Sequence, residues 1–224
     1  MSRAEICARM ERTGVVPVVR AKNTEQAWLA CRALCAGGID VLEVTMTVPN
    51  APSLIRELVA HFGNDVLVGA GTVLDPETAR ACIRAGAEFI VSPGFDADIV
   101  RAAHEAEKPA LPGALTPTEV MAALRAGADI IKVFPASAMG GAKYLRSLRA
   151  PFEHARFLPT GGVNAETARD FIAAGAVALG VGSELIDAQA LARGDGETIT
   201  ARARELVAAV RLARQELASE KASS

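Results

Sequence analysis

Short apolar runs alternate with longer stretches of helical period from one end of the chain to the other. The runs fall at residues 15–20, 41–46, 67–73, 89–93, 110–112, 130–134, 157–160 and 178–182. They show little polar alternation, which is the pattern of parallel strands covered on both faces. Between them, apolar positions recur at helical spacing. One such segment is capped near Thr24 and ends at Gly37-Gly38, one covers about 51–62, and others open at Asp75-Pro76, at Asp96 and at Thr116-Pro117. The series closes with helices over about 141–149, from a cap near Asn164, and over about 197–216. An Asp or Thr followed by Pro joins an N-cap to the residue best suited to the first helical position. A further helix over 2–12, within an N-terminal segment 1–13, precedes the first strand, and residues 217–224 are expected to form a frayed polar tail.

Four helix ends echo one another: Cys35-Ala36-Gly37-Gly38, Arg84-Ala85-Gly86-Ala87, Arg125-Ala126-Gly127-Ala128 and Ala173-Ala174-Gly175-Ala176. Each stands before an even-numbered strand, with glycine as the helix C-cap. Eight strand–helix pairs without a linker or a shift in composition predict a single (β/α)8 TIM barrel domain over residues 1–224, with an extra N-terminal helix. A doubly wound open sheet is the alternative, and it would need a topological switch point. A length of 224 residues suits one such barrel.

Composition narrows the function classes. With 50% hydrophobic and 22% charged residues, the chain has ample core, which excludes a disordered, collagen-like or coiled-coil protein. The 24 Lys and Arg nearly balance the 26 Asp and Glu, so there is no global field for nucleic acid or an acidic membrane. A small or locally recognised partner is expected instead. The opening MSRAEICARMERTG has no apolar h-region and no later stretch reaches the length of a membrane span, so a soluble, cytoplasmic chain is expected. Cys7, Cys31, Cys35 and Cys82 lie in helical segments and are too sparse for a disulfide framework, while His61, His104 and His154 form no ligand pair. Buried, reduced thiols are expected, and no metal site.

In a (β/α)8 barrel the chemistry sits at the C-terminal ends of the strands. The polar residues within or ending the apolar runs are Arg20, Glu43, Thr45, Thr72, Ser92, Lys132, Thr160 and Ser183. Lys132 stands inside Ile130-Ile131-Lys132-Val133-Phe134-Pro135, where an ammonium is costly unless paired or discharged. A discharged amine is a nucleophile for a carbonyl and the starting point of Schiff-base chemistry. The bland alternative is a strand-end lysine snorkelling into solvent. Glu43, in Val41-Leu42-Glu43-Val44-Thr45-Met46, is either an acid/base partner for Lys132 or its structural counter-ion. Pro159-Thr160-Gly161-Gly162-Val163-Asn164 and Gly180-Val181-Gly182-Ser183 end the last two strands, where barrels often bind phosphate on backbone N–H groups. The alternative there is a pair of plain turns. Thr72, in Gly69-Ala70-Gly71-Thr72, is either a site hydroxyl or a strand-end cap, and no dinucleotide fingerprint follows it.

These residues together resemble the 2-keto-3-deoxy-6-phosphogluconate aldolase family, which also holds 4-hydroxy-2-oxoglutarate aldolases and a galactonate-series enzyme. The resemblance is carried by VLEVT around Glu43, GAGTV at 69–73, SPG at 92–94, KVFPA at 132–136 and PTGGV at 159–163, in order from about Val15 to Ile186. It implies a class I, metal-independent and cofactor-free aldolase on a (β/α)8 barrel, usually a homotrimer. Lys132 matches the Schiff-base lysine and Glu43 the general acid/base. Thr72, Pro93 and Phe134 match the lining of the pyruvyl pocket, Arg20 and Thr160 the neighbours of the substrate carboxylate, and Gly161, Gly162 and Ser183 the phosphate site. Some members carry an arginine four residues after the glutamate, near the substrate's polar tail, and this chain has Thr47 there.

The activity so implied is reversible cleavage of 2-keto-3-deoxy-6-phosphogluconate to pyruvate and glyceraldehyde 3-phosphate, with 4-hydroxy-2-oxoglutarate as a further substrate. Galactonate-series cleavage, phosphosugar isomerisation or epimerisation with Glu43 as base, and a non-catalytic phosphometabolite-binding barrel are the alternatives.

Overall fold

The computed structural model of the chain describes residues 1–222. Helix α1 (Arg3–Thr13) leads into β1 (Val15–Val19), α2 (Thr24–Ala36), β2 (Val41–Thr45), α3 (Ala51–Phe62), β3 (Leu67–Gly71) and α4 (Pro76–Arg84). The alternation continues through β4 (Ile90–Val91), α5 (Ala97–Glu105), β5 (Ala110–Leu111), α6 (Pro117–Arg125), β6 (Ile131–Val133) and α7 (Gly141–Arg149). It ends with β7 (Phe157–Pro159), α8 (Ala168–Ala173), β8 (Leu179–Val181), α9 (Ala188–Ala192) and α10 (Gly196–Ala222).

All strand pairings are parallel. Six strands run in the order β5-β4-β3-β2-β1-β8, and β6 pairs with β7. Two seams complete the ring: Gly113 bridges Lys132 between β5 and β6, and Phe157 with Ala176 and Thr160 with Gly180 join β7 to β8. The result is the α/β barrel expected from eight apolar runs, with the N-terminal helix outside the eightfold count.

Burial shows why the runs look continuous in sequence. Leu42 and Val44 face outward into the layer shared with Leu34, Leu54 and Ile55, whereas Val41 points inward to Val16, Leu67, Phe89, Ile130 and Leu158. The two-residue alternation of a strand is present, but both faces are dry. Helix α1 contributes Ile6, Cys7 and Met10 to the inward cluster and thereby plugs the N-terminal end of the barrel. Its start is held by a capping box between Ser2 and Glu5. Removing side chains such as Ile6 and Met10 from water contributes about 1.5–3 kcal/mol each, and both are fully buried.

Several boundaries differ from the sequence expectation, each for a local reason. Asn164 and Thr167 exchange hydrogen bonds, Thr167 N–H to Asn164 Oδ1 at 2.9 Å and Asn164 N–H to Thr167 Oγ1 at 3.0 Å, so a turn forms first and α8 begins only at Ala168. The five-residue helix α9, N-capped by Asp187, is too short to show a period in sequence. The stretch from Leu217, expected to fray, continues as helix to Ala222, because Arg169 on α8 bridges Glu216 at 2.9 Å and Glu220 at 3.0 Å. Ser223 and Ser224 of that expected tail lie outside the described residues. Among the predicted cap glycines, Gly86, Gly127 and Gly175 adopt left-handed backbone, but in the first repeat Gly38 does so in place of Gly37. Among the described residues no helix is long and apolar enough to cross a membrane.

Candidate active site

Lys132 is the middle residue of β6 and its backbone is locked from both sides. Its N–H donates to Pro112 O at 2.9 Å, its carbonyl accepts from Ala114 N–H at 2.8 Å, and it pairs with Leu158 on β7. Glu43 is likewise central in β2, paired with Val18 on one side and Gly69 on the other. Side chains from these rigid strands meet inside the barrel, with Lys132 Nζ 3.5 Å from Glu43 Oε1. Both are withdrawn from water, Glu43 at 1% exposure and Lys132 at 5%. The separation suits an ion pair but is too long for a well-formed hydrogen bond.

Above this pair a cavity of about 280 Å³ opens at the C-terminal end of the barrel. Arg20 from the end of β1, Thr72 after β3, Pro93 after β4, Lys132 and Phe134 on and after β6, Thr160, Gly161 and Gly162 after β7, and Ser183 after β8 all line it. Lys132 and every substrate-contacting residue expected from the sequence are thus brought to one cavity, whereas Glu43 is not in its lining and lies buried behind Lys132. The Phe134 ring centroid is 5.7 Å from Lys132 Nζ, within cation–π range. Arg20 is exposed at the rim and makes no hydrogen bond or ion pair among the described residues.

Two buried side-chain oxygens lack a hydrogen-bond partner among the described residues, and both belong here: Glu43 Oε1 and Thr160 Oγ1. An unsatisfied buried polar atom costs about 1–3 kcal/mol. Two at the base of one cavity mark the place where a ligand supplies the missing partners. Gly161 and Gly162, at φ 101° and 70°, fold the chain after β7 back against Ser137. That conformation suits glycine and keeps the cavity wall free of side chains.

Sequence reasoning missed the glycines that make room. A Cβ on Gly71 would lie 2.1 Å from Glu43 Oε1, one on Gly180 2.0 Å from Thr160 Oγ1, and one on Gly69 2.3 Å from the Phe89 ring. Of the other polar candidates, Thr45 donates to Val19 O at 2.9 Å and Ser92 to Gly94 O at 2.7 Å, so both serve the backbone rather than the cavity wall. The four thiols are free and lie away from the cavity. Burial pushes Cys7, Cys35 and Cys82 up to about 11 and Cys31 higher still, so none is a ready thiolate near neutral pH. Among the described residues no group of three or more His, Cys, Asp or Glu is placed to hold a metal.

A parallel barrel that buries an amine against a carboxylate at the mouth of its strands falls in the class of α/β-barrel enzymes that work on carbonyl compounds. Within that class the chain belongs to the KDPG and KHG aldolase family, whose family model matches residues 6–202. It is 41% identical over 198 residues to the KHG/KDPG aldolase of Escherichia coli, covering 88% of this chain and 92% of that protein. It is 42% identical over 194 residues to the 2-dehydro-3-deoxy-phosphogluconate aldolase of Dickeya dadantii, covering 87% and 91%. The solved KDPG aldolase of Legionella pneumophila, with pyruvate captured as a covalent carbinolamine, superposes with a TM-score of 0.83 at 33% identity, covering 89% of this chain and 97% of that one.

Proposed function

We propose that the chain is a class I aldolase that cleaves 2-keto-3-deoxy-6-phosphogluconate to pyruvate and glyceraldehyde 3-phosphate, and 4-hydroxy-2-oxoglutarate to pyruvate and glyoxylate. The observation that carries this reading is the buried Lys132–Glu43 pair, 3.5 Å apart beneath the cavity. Membership of a family whose relatives act on these two keto acids supports the substrate class.

In this reading the neutral Lys132 amine adds to the C2 ketone, and the carbinolamine loses water to give a protonated imine. The Glu43 carboxylate takes the C4 hydroxyl proton as the C3–C4 bond breaks, and the bonding electrons move into the imine to give an enamine. The aldehyde leaves, Glu43 returns its proton to C3, and water releases pyruvate from Lys132. Thr160 and Arg20 hold the carboxylate, Thr72, Pro93 and Phe134 enclose the pyruvyl group, and Gly161, Gly162 and Ser183 take the phosphate. Positive charge on the imine draws off the electrons of the breaking bond, so the chain's own groups suffice.

Borohydride reduction in the presence of pyruvate is expected to leave a covalent adduct on Lys132 by peptide mass analysis, and Lys132→Ala to abolish cleavage. An unmodified lysine, as an isomerase or a binding barrel would show, or full activity in Lys132→Ala, overturns the mechanism. Assembly as a homotrimer and a cytoplasmic location complete the reading. Exposed Met121 and Leu124 on the outer helix α6 support the first, and four free cysteines suit the reducing compartment of the second.

A further inference from the structure

The two successive glycines after β7 form a permissive stretch of cavity wall, and it is held from behind. Gly161 and Gly162 line the cavity at φ 101° and 70°. Thr167, the residue before α8, does not line the cavity, yet its hydroxyl donates to Gly162 O at 3.0 Å.

That hydroxyl has one proton and three acceptors within reach: Gly162 O at 3.0 Å, Asn164 Oδ1 at 3.1 Å and Asn164 O at 3.4 Å. Asn164 Oδ1 already accepts the Thr167 N–H at 2.9 Å, and Asn164 O accepts that of Ala168 at 3.0 Å. Gly162 O has no other donor among the described residues, so the proton serves Gly162. The same hydroxyl oxygen accepts the Asn164 N–H at 3.0 Å. One side chain thus ties down both ends of the segment that leaves the glycine pair. Glycine loses more conformational freedom than any other residue when it is fixed, and a site that must order its backbone as the ligand arrives gives up affinity to do so. Gly162 is exposed, and Asn164 and Thr167 are half-buried. Water can therefore replace the hydroxyl as a partner, and removing it costs order rather than leaving a buried group unpaired.

We propose that Thr167 is a positioning residue for the phosphate end of the substrate: through Gly162 O and the Asn164 N–H, its hydroxyl fixes the Gly161-Gly162 backbone in the conformation that receives the phosphate. The inference rests on the aldolase reading above and adds what keeps that subsite in order before the ligand arrives.

The test compares Thr167→Val and Thr167→Ser in two assays: cleavage of 2-keto-3-deoxy-6-phosphogluconate, which carries a phosphate, and borohydride trapping of pyruvate, which does not. Thr167→Val is expected to raise KM for the keto acid by roughly fivefold to tenfold, the worth of one neutral hydrogen bond, with kcat within about twofold of wild type. The pyruvate concentration that gives half-maximal trapping is expected to stay within about twofold, and Thr167→Ser to keep wild-type values in both assays. A valine variant with wild-type KM overturns the assignment. So does one that loses pyruvate trapping by the same factor as the keto acid, or a serine variant impaired as much as the valine one. Should Thr167→Val fail to fold, Thr167→Ala in the same two assays decides in its place. A wild-type chain that traps no pyruvate, or leaves the phosphorylated keto acid uncleaved, defeats the aldolase reading and this proposal with it. An active wild-type chain whose variants lose both assays equally defeats the proposal alone.

Discussion

At the scale of single residues, the site depends as much on absent side chains as on present ones. Gly71 lies beside Glu43, and the position a Cβ would take there falls 2.1 Å from the carboxylate oxygen. Replacing Gly71 by Ala is therefore expected to swing the Glu43 carboxylate away from Lys132 while leaving the β6 lysine in place. Misplacing a catalytic group by about 1 Å costs on the order of 10²-fold in rate, so kcat for keto-acid cleavage should fall by roughly that factor while pyruvate can still be trapped on Lys132. Wild-type kcat in Gly71→Ala would show that the carboxylate has another resting place. Lys132 and Glu43 were legible in the sequence because a charge inside an apolar run is physically conspicuous. The role of Gly71 was not, because it depends on which residue of a neighbouring strand lies alongside it, and register between strands is set by the whole barrel.

At the scale of elements, the chain announces its starts more clearly than its stops. Asp75 accepts the Thr78 N–H at 2.7 Å and Thr116 accepts that of Glu119 at 3.3 Å, so the Asp-Pro and Thr-Pro pairs cap α4 and α6 where the sequence places them. These bonds reach only three residues, and local chemistry decides them. The strands are shorter than their apolar runs: β4 and β5 have two residues each, although Phe89 and Ser92 beside β4 are still buried and the Ser92 N–H still donates to Leu111 O. Helix α10 outlasts its apolar period because Arg169, far away in sequence, bridges two glutamates on it. A contact with a distant element leaves no mark in local periodicity, whereas α9 was hidden by its own brevity, five residues being too few to show a period.

For the molecule as a whole, the strand count and the closure of the ring were legible because eight buried parallel strands with short connections have few other ways to cover both faces. Assembly is written more faintly. Met121 and Leu124 are 43% and 40% exposed on α6, and Leu74 after β3 is 68% exposed. Single exposed apolar residues are ordinary, but Met121 and Leu124, three residues apart on one helix, suit burial against another copy. Light scattering is expected to give three times the mass of the chain, and a monomer at micromolar concentration would refute the trimer.

Helix α1, with Ile6, Cys7 and Met10 packed into the barrel floor, closes the end opposite the catalytic cavity. The enzyme consequently has a single doorway, and traffic through it is a queue. In the proposed mechanism the three-carbon acid joined to Lys132 sits innermost, and the aldehyde fragment stands between it and solvent. Cleavage must then release the aldehyde first and pyruvate last. Pyruvate should accordingly inhibit cleavage competitively with the keto acid and glyceraldehyde 3-phosphate in mixed fashion, and the reverse pattern would mean a second exit.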